Sequence, residues 1–300
     1  MADMTFQELM NAFHRNDHLN NTVVYGELLE QLKNDRITPV IGAGLSAWAK
    51  YPLWKDLIQT LAKNFDNEEV IRTYLENGKY EEAASALEEE YGHNNLIDTL
   101  TRVFSLDKLD ESKRPPYQKL LPKLFKGPFV TTNFDVSLEK LLDSPFVVDP
   151  KNTFYENETE NRLQMYNRLL IKLHGTVKDR QHMVFTKESY DSAYGDDEEN
   201  PDETKPLPQK LKLVFQSAPP LFLGCSLGKD RTCRVLEKCS WAKGFALLGT
   251  SDTTSREFNS RLRKLSDMGI KVIWYPKGSY DAVEVLIEQL AEDMKIPKNS

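Results

Sequence analysis

The stretch Arg36-Ile-Thr-Pro-Val-Ile-Gly-Ala-Gly-Leu-Ser-Ala-Trp48 places an apolar, β-branched run directly before a glycine pair and a helix-like continuation. That is the order of a strand feeding a phosphate-binding turn. Pro39-Val40-Ile41 suits a short buried parallel strand. Gly42-Ala43-Gly44-Leu45-Ser46-Ala47 matches G-x-G-x-x-A. Gly42 would make the tight turn, and Gly44 would let backbone amides approach a pyrophosphate. Ala47 is small enough for the next helix to sit close to the strand, with its positive end at the phosphates. Glycine pairs also close ordinary βα loops, so this turn needs support from the rest of the chain.

Further strand-like runs supply it. Phe129-Val130-Thr131 reads as a strand and Val136 to Leu142 as a helix, which puts Thr132, Asn133 and Asp135 at the strand's carboxyl end. Ligands bind at that edge in open α/β sheets. Read from this segment alone, a cap on the helix is the better reading of Asp135 or Asn133. Leu169 to Leu173 repeats the arrangement and ends at His174-Gly175. Pro220 to Asp230 gives a strand with a second glycine-serine turn at Gly224 and Ser226, Phe245 to Ser251 a strand carrying Thr250, and Lys271 to Pro276 the last strand. Strands separated by helices predict an α/β fold, a doubly wound, Rossmann-like parallel sheet with right-handed crossovers.

Residues 1–35 carry apolar positions at helical spacing (Phe6, Leu9, Met10, Phe13, then Val23, Leu28, Leu29, Leu32) and predict a helical lead-in that covers the sheet or meets another subunit. Helical spacing resumes at Leu57, Ile58, Leu61 and Phe65 and persists to about Phe104, too much helix for one crossover. It predicts a helical module inserted at about 55–115 within an α/β domain of 36–300. Asp179 to Pro208 is polar and holds Asp196-Asp-Glu-Glu199, so it predicts an exposed excursion or flap.

Composition narrows the class. With 39 Lys and Arg against 46 Asp and Glu, the net charge of -7 argues against direct nucleic-acid binding or an anionic membrane surface, a local basic patch aside. The three cysteines, Cys225, Cys233 and Cys239, have no C-x-x-C spacing, so they predict reduced core thiols and no metal site. The polar, acidic residues after Met1 and the lack of any membrane-length apolar run predict a cytoplasmic protein.

Four motifs in sequence resemble the sirtuin signature set: GAGLS at Gly42 to Ser46, TTNFD at Thr131 to Asp135, LHG at Leu173 to Gly175 and LGCSL at Leu223 to Leu227. The chain is most similar to the bacterial SIR2-like branch of antiphage defence. There Pro-x-Trp follows the glycine turn, as Pro52-Leu53-Trp54 does here, and Thr-x-x-x-Tyr follows the His-Gly strand, as Thr186 to Tyr190 does. Two departures set it apart from protein deacylases. No four-cysteine zinc ribbon follows the His-Gly motif, and Ala47 to Trp54 replaces Gly-Ile-Pro-Asp-Phe-Arg.

The resemblance implies that NAD is the substrate, cleaved at the nicotinamide-ribose bond with water as acceptor and no metal. It implies that Asn133 holds the ribose and the attacking water, that Asp135 holds the carboxamide or orients Asn133, and that His174, titrating near neutrality, is the general base. Gly42, Ala43, Gly44, Leu45, Ser46, Thr132, Gly224, Ser226 and Thr250 would contact phosphates and ribose. The expected role is an NAD-depleting effector of abortive infection. The rival readings are a non-catalytic module that senses NAD or a derivative and gates a partner, and an NAD-dependent protein deacylase. An unrestrained NAD hydrolase harms its own cell, so the reading carries a gate, with self-association into a homo-oligomer expected. Some relatives pair with a ring-forming HerA-type ATPase and others with a nucleic-acid-guided or phage-sensing partner, and the resemblance implies a partner of one of these kinds.

Overall fold

A computed structural model describes residues 4–16, 19–63, 68–105, 107, 109–150, 168–228, 231–238 and 244–297. Met1, Phe65, Asp230 and Cys239, named above, lie outside the described residues. Seven strands form one sheet: β1 Thr38–Ile41, β2 Phe129–Thr131, β3 Phe146–Val148, β4 Leu169–Lys172, β5 Pro220–Leu223, β6 Gly244–Thr250 and β7 Ile270–Pro276. Their order is β3-β4-β2-β1-β5-β6-β7, and β1 with β5, β5 with β6, β6 with β7 and β3 with β4 pair in parallel. β1, β2, β4 and β5 are buried at every residue, as a sheet covered on both faces requires. The strand order reverses direction at β1, and ligands in open α/β sheets bind beyond the carboxyl ends of the strands at such a point, where Gly42 stands. Phe146–Val148 is a strand that the sequence reading did not anticipate.

The chain divides into two compact units, Met1–Gly42 with Pro115–Val130 and Leu211–Ser300, and Ala43–Arg114 with Thr131–Lys210. In the first unit the lead-in forms α1 (Phe6–Asn11) and α2 (Asn21–Lys33). Buried Asn21 ties them to β7: its Nδ2 donates to the carbonyls of Leu9 (2.7 Å) and Trp274 (2.8 Å), and its Oδ1 accepts from Trp274 N–H (2.9 Å). Tyr25, Leu28 and Leu32 face inward, whereas Val23 stays exposed.

In the second unit four helices follow β1 in sequence: α3 Trp54–Ala62, α4 Glu68–Glu76, α5 Tyr80–Tyr91 and α6 His93–Val103. Leu57, Ile58, Ile71, Leu87, Leu96 and Leu100 build their core, joined by Phe134 and Phe185 from the loops that carry the candidate site. Trp54, Phe134 and Phe185 pack as a ring cluster, with Trp54 and Phe185 centroids 4.9 Å apart. Phe134 therefore roots its sequence neighbours Asn133 and Asp135 in a rigid core.

The excursion predicted over Asp179 to Pro208 is in large part folded. Met183, Val184 and Phe185 are buried, and Lys187–Tyr194 forms a helix, α9 in chain order after α7 (Leu121–Leu124) and α8 (Ser137–Leu141). Tyr190 and Tyr194, four residues apart and so on one helix face, supply the apolar surface that a polar composition conceals. The acidic stretch Asp196 to Glu199 is exposed.

Candidate functional site

In the first unit β1 and β5 end in register, Ile41 opposite Leu223, and Gly42 N–H donates to the Leu223 carbonyl at 2.9 Å. A side chain on Gly42 would meet the Gly224 carbonyl oxygen at 2.4 Å and Cys225 Sγ at 2.8 Å. Gly42 is thus required by the close approach of two strand ends, while the left-handed turn belongs to Gly224 (φ 67°). Ser226 is exposed and its carbonyl accepts from Arg261 Nη2 (2.7 Å), and Thr250 Oγ1 donates to the Asp252 carbonyl (3.2 Å). An open cleft of about 960 Å³ in this unit is lined by Arg234, Arg256, Arg263 and Lys264, with Glu237 and Asp267 offsetting two of the four cations. It holds none of the predicted site residues.

In the second unit Ala43–Ala49 winds as a 3-10 helix, and the α-helix expected at the glycine turn begins only at Trp54. Pro52 explains the delay, because it lacks an N–H and biases Tyr51 away from helical backbone. Ala43 is half-buried, Gly44 exposed, and Leu45 and Ser46 buried. Ser46 joins the glycine turn to the strand-end loop: Asn133 Nδ2 donates to its Oγ at 3.2 Å, and its hydroxyl lies 3.2 Å from Ser137 Oγ. Asn133 N–H donates to Thr131 Oγ1 at 3.0 Å, which fixes the backbone of the same residue. Thr132 is half-buried beside it. Asp135 Oδ1 accepts from Ser137 N–H at 2.9 Å, an Asx turn that leads into α8, whose N-cap residue is Val136 and carries no side-chain cap.

His174 lies past the end of β4, where Gly175 turns with φ 84°. A side chain on Gly175 would meet the His182 carbonyl oxygen at 2.5 Å, so this glycine too is set by backbone approach. The imidazole is 7% exposed, with Nε2 2.9 Å from Tyr194 Oη and Nδ1 3.3 Å from Tyr190 Oη. Burial penalises the imidazolium and pushes the pKa of His174 down to about 3. This corrects the expectation of a base titrating near neutrality. Asn133 is likewise buried, at 9% exposed, so neither residue stands at an open strand end. A neutral imidazole with a phenol on each nitrogen is held in orientation and can take up a proton only when one phenol yields its place.

Sequence reasoning missed Ser137, Lys172, Glu139, Arg114 and Tyr194. Lys172 had a usable signal, a lysine inside the apolar run Leu169 to Leu173, where full burial is rare unless the charge is paired. Among the described residues no three His, Cys, Asp or Glu side chains cluster as a metal site would require, and no helix is long and apolar enough to cross a membrane. Cys233 is buried and Cys225 half-buried.

Comparison with known proteins adds two findings. Residues 128–273 match the SIR2-like domain. The chain is 27% identical over 221 residues to the NAD(+) hydrolase ThsA of Acinetobacter baumannii (strain 532279), an alignment covering 72% of this chain and 42% of that protein. The matched domain runs from the residue before β2 into β7 and includes Asn133, His174, Gly224 and Thr250. Residues 128–273, which carry the Asn133 and His174 loops at strand ends of a doubly wound sheet, are thus similar to the SIR2-like domain.

Proposed function

We propose that this chain is an NAD glycohydrolase: water displaces nicotinamide from the ribose, giving nicotinamide, ADP-ribose and a proton. The observation that carries the reading is the geometry of Asn133. Ser46 takes its Nδ2, and among the described residues no group donates to its Oδ1. An amide held by one end presents the other as a fixed acceptor for a ribose hydroxyl or the attacking water. Nicotinamide leaves as a neutral amine from a carbon that becomes oxocarbenium-like, so the site needs orientation and a proton acceptor more than a strong nucleophile. His174 is the acceptor in this reading, neutral at pH 7 and aligned by its two tyrosines. The similarity to a protein named as an NAD(+) hydrolase supports the same bond. The resemblance to antiphage SIR2-like proteins extends the proposal to an NAD-depleting effector that works as a homo-oligomer or with a defence partner.

The engagement of both His174 nitrogens favours a second reading, a module that binds NAD or a derivative and gates a partner. Incubating the purified protein with NAD and following nicotinamide separates the two. Release without acyl peptide supports the hydrolase. Binding without release, across concentrations and in the presence of candidate partners, supports the sensor, and release only with an acyl-lysine peptide returns the deacylase.

A further inference from the structure

Lys172, at the end of β4 and two residues before His174, has no part in the chemistry above, yet its side chain is fully buried (0% exposed). Its Nζ donates to the carbonyl oxygens of Phe134 (3.4 Å) and Asp135 and to Glu139 Oε1 (3.0 Å). A second buried cation reaches the same segment. Arg114, 2% exposed at its side chain, donates from Nη2 to the Ser137 carbonyl at 2.9 Å. Its guanidinium is gripped from behind by Glu111, with Nε and Nη2 each 2.7 Å from a carboxylate oxygen, and lies 4.7 Å from the centroid of the Trp48 ring. Three carbonyls between Asn133 and Leu138 are thus held by two buried charges. Buried ion pairs are weak sources of stability, since desolvation offsets the attraction. This pair is not arranged for stability either, because Glu139 Oε2 is buried without a hydrogen-bond partner among the described residues.

We propose that Lys172 and Arg114 form a clamp that fixes the Asn133 segment relative to the strand carrying His174. Both are positioning residues: they touch backbone carbonyls, and Asn133 touches the substrate. The inference rests on the glycohydrolase reading. A loosened loop would still offer Asn133, but in the wrong place, and a displacement near 1 Å lowers rates by about 100-fold.

The test compares wild type with Lys172→Met, the charge-free double variant Lys172→Met/Glu139→Met, and Arg114→Lys. Thermal midpoint, kcat and KM for nicotinamide release, and hydrogen exchange of the 133–137 amides are measured on each. Lys172→Met is expected to lose stability and rate together. The double variant is expected to regain the wild-type midpoint while kcat stays at least about tenfold down, KM holds, and those amides exchange faster. Recovery of kcat along with the midpoint would overturn the clamp, since the lysine would then serve only to neutralise Glu139. Should the double variant not fold, Arg114→Lys decides: it keeps the charge but cannot span Glu111 and the Ser137 carbonyl, and an unchanged kcat overturns the proposal. Wild-type protein that releases no nicotinamide removes the glycohydrolase reading alone. The clamp then stands on accelerated exchange at residues 133–137 and falls if exchange is unchanged.

Discussion

A neutral imidazole has one N–H and one lone pair, and His174 meets a phenol with each. Tyr194→Phe leaves a buried ring nitrogen unpaired and the tautomer unfixed. It is expected to cost about 1–3 kcal/mol of stability, read by denaturant unfolding. His174→Ala and Asn133→Ala remove the acceptor and the fixed amide, and each is expected to lower the rate by about 100-fold to 10,000-fold in a folded protein. A His174→Ala enzyme with wild-type turnover would refute its role as base. Gly42→Ala forces a methyl against the Gly224 carbonyl, so the ends of β1 and β5 must part. Overpacking of this kind costs about 1–3 kcal/mol, and a wild-type unfolding midpoint would show that the strands yield freely. The part of the site legible in sequence was the set of residues at strand ends, because strand position follows from apolar runs. Lys172 and Arg114 were not legible, because their partners are backbone carbonyls and Glu139, which no periodicity reveals.

Elements were read best where apolar runs were long and bounded. β6 and β7, seven residues each, were placed within a residue or two of their observed ends. β3 was missed because three residues after Ser144-Pro145, with Phe146 and Val147 half-exposed at the sheet edge, carry too little pattern to separate strand from loop. α9 was hidden for the opposite reason: its sequence is polar, and only two tyrosines a turn apart face inward. Its start is set by Thr186 and Ser189, whose hydroxyl accepts from Phe185 N–H (2.8 Å) and Thr186 N–H (2.9 Å) and donates to the Thr186 carbonyl (2.7 Å). Ser189→Ala is expected to remove about 1 kcal/mol of helix stability. Since α9 carries both phenols, the variant should also loosen their hold on His174 and make turnover per chain less dependent on protein concentration. A variant with reduced thermal midpoint and the wild-type concentration dependence would separate α9 from the histidine.

For the whole molecule, His174 links stability to pH and the resting state to control. Its pKa is about 3 in the folded chain against 6.5 when exposed. Between those values the unfolded chain binds more protons, so this contribution is complete above pH 6.5 and fades as pH falls toward 3. From pH 7 to pH 5 the thermal midpoint of wild type should therefore drop more steeply than that of His174→Gln, and parallel curves would contradict a buried neutral imidazole. The same burial bears on the gate. With both nitrogens held by buried phenols, the base is available only in a state where α9 has shifted. An effector can favour that state only by making contacts there that it lacks in the resting one. In the proposed reading such contacts come from a second copy or a partner, so turnover per chain should rise with protein concentration and fall on dilution, in step with mass measured by light scattering. If assembly alone is insufficient, adding a candidate partner should produce the rise at fixed concentration. A monomer that hydrolyses NAD at the same rate per chain at every dilution, with no partner present, would show that the Tyr190 and Tyr194 contacts yield without help and that no gate resides in this fold.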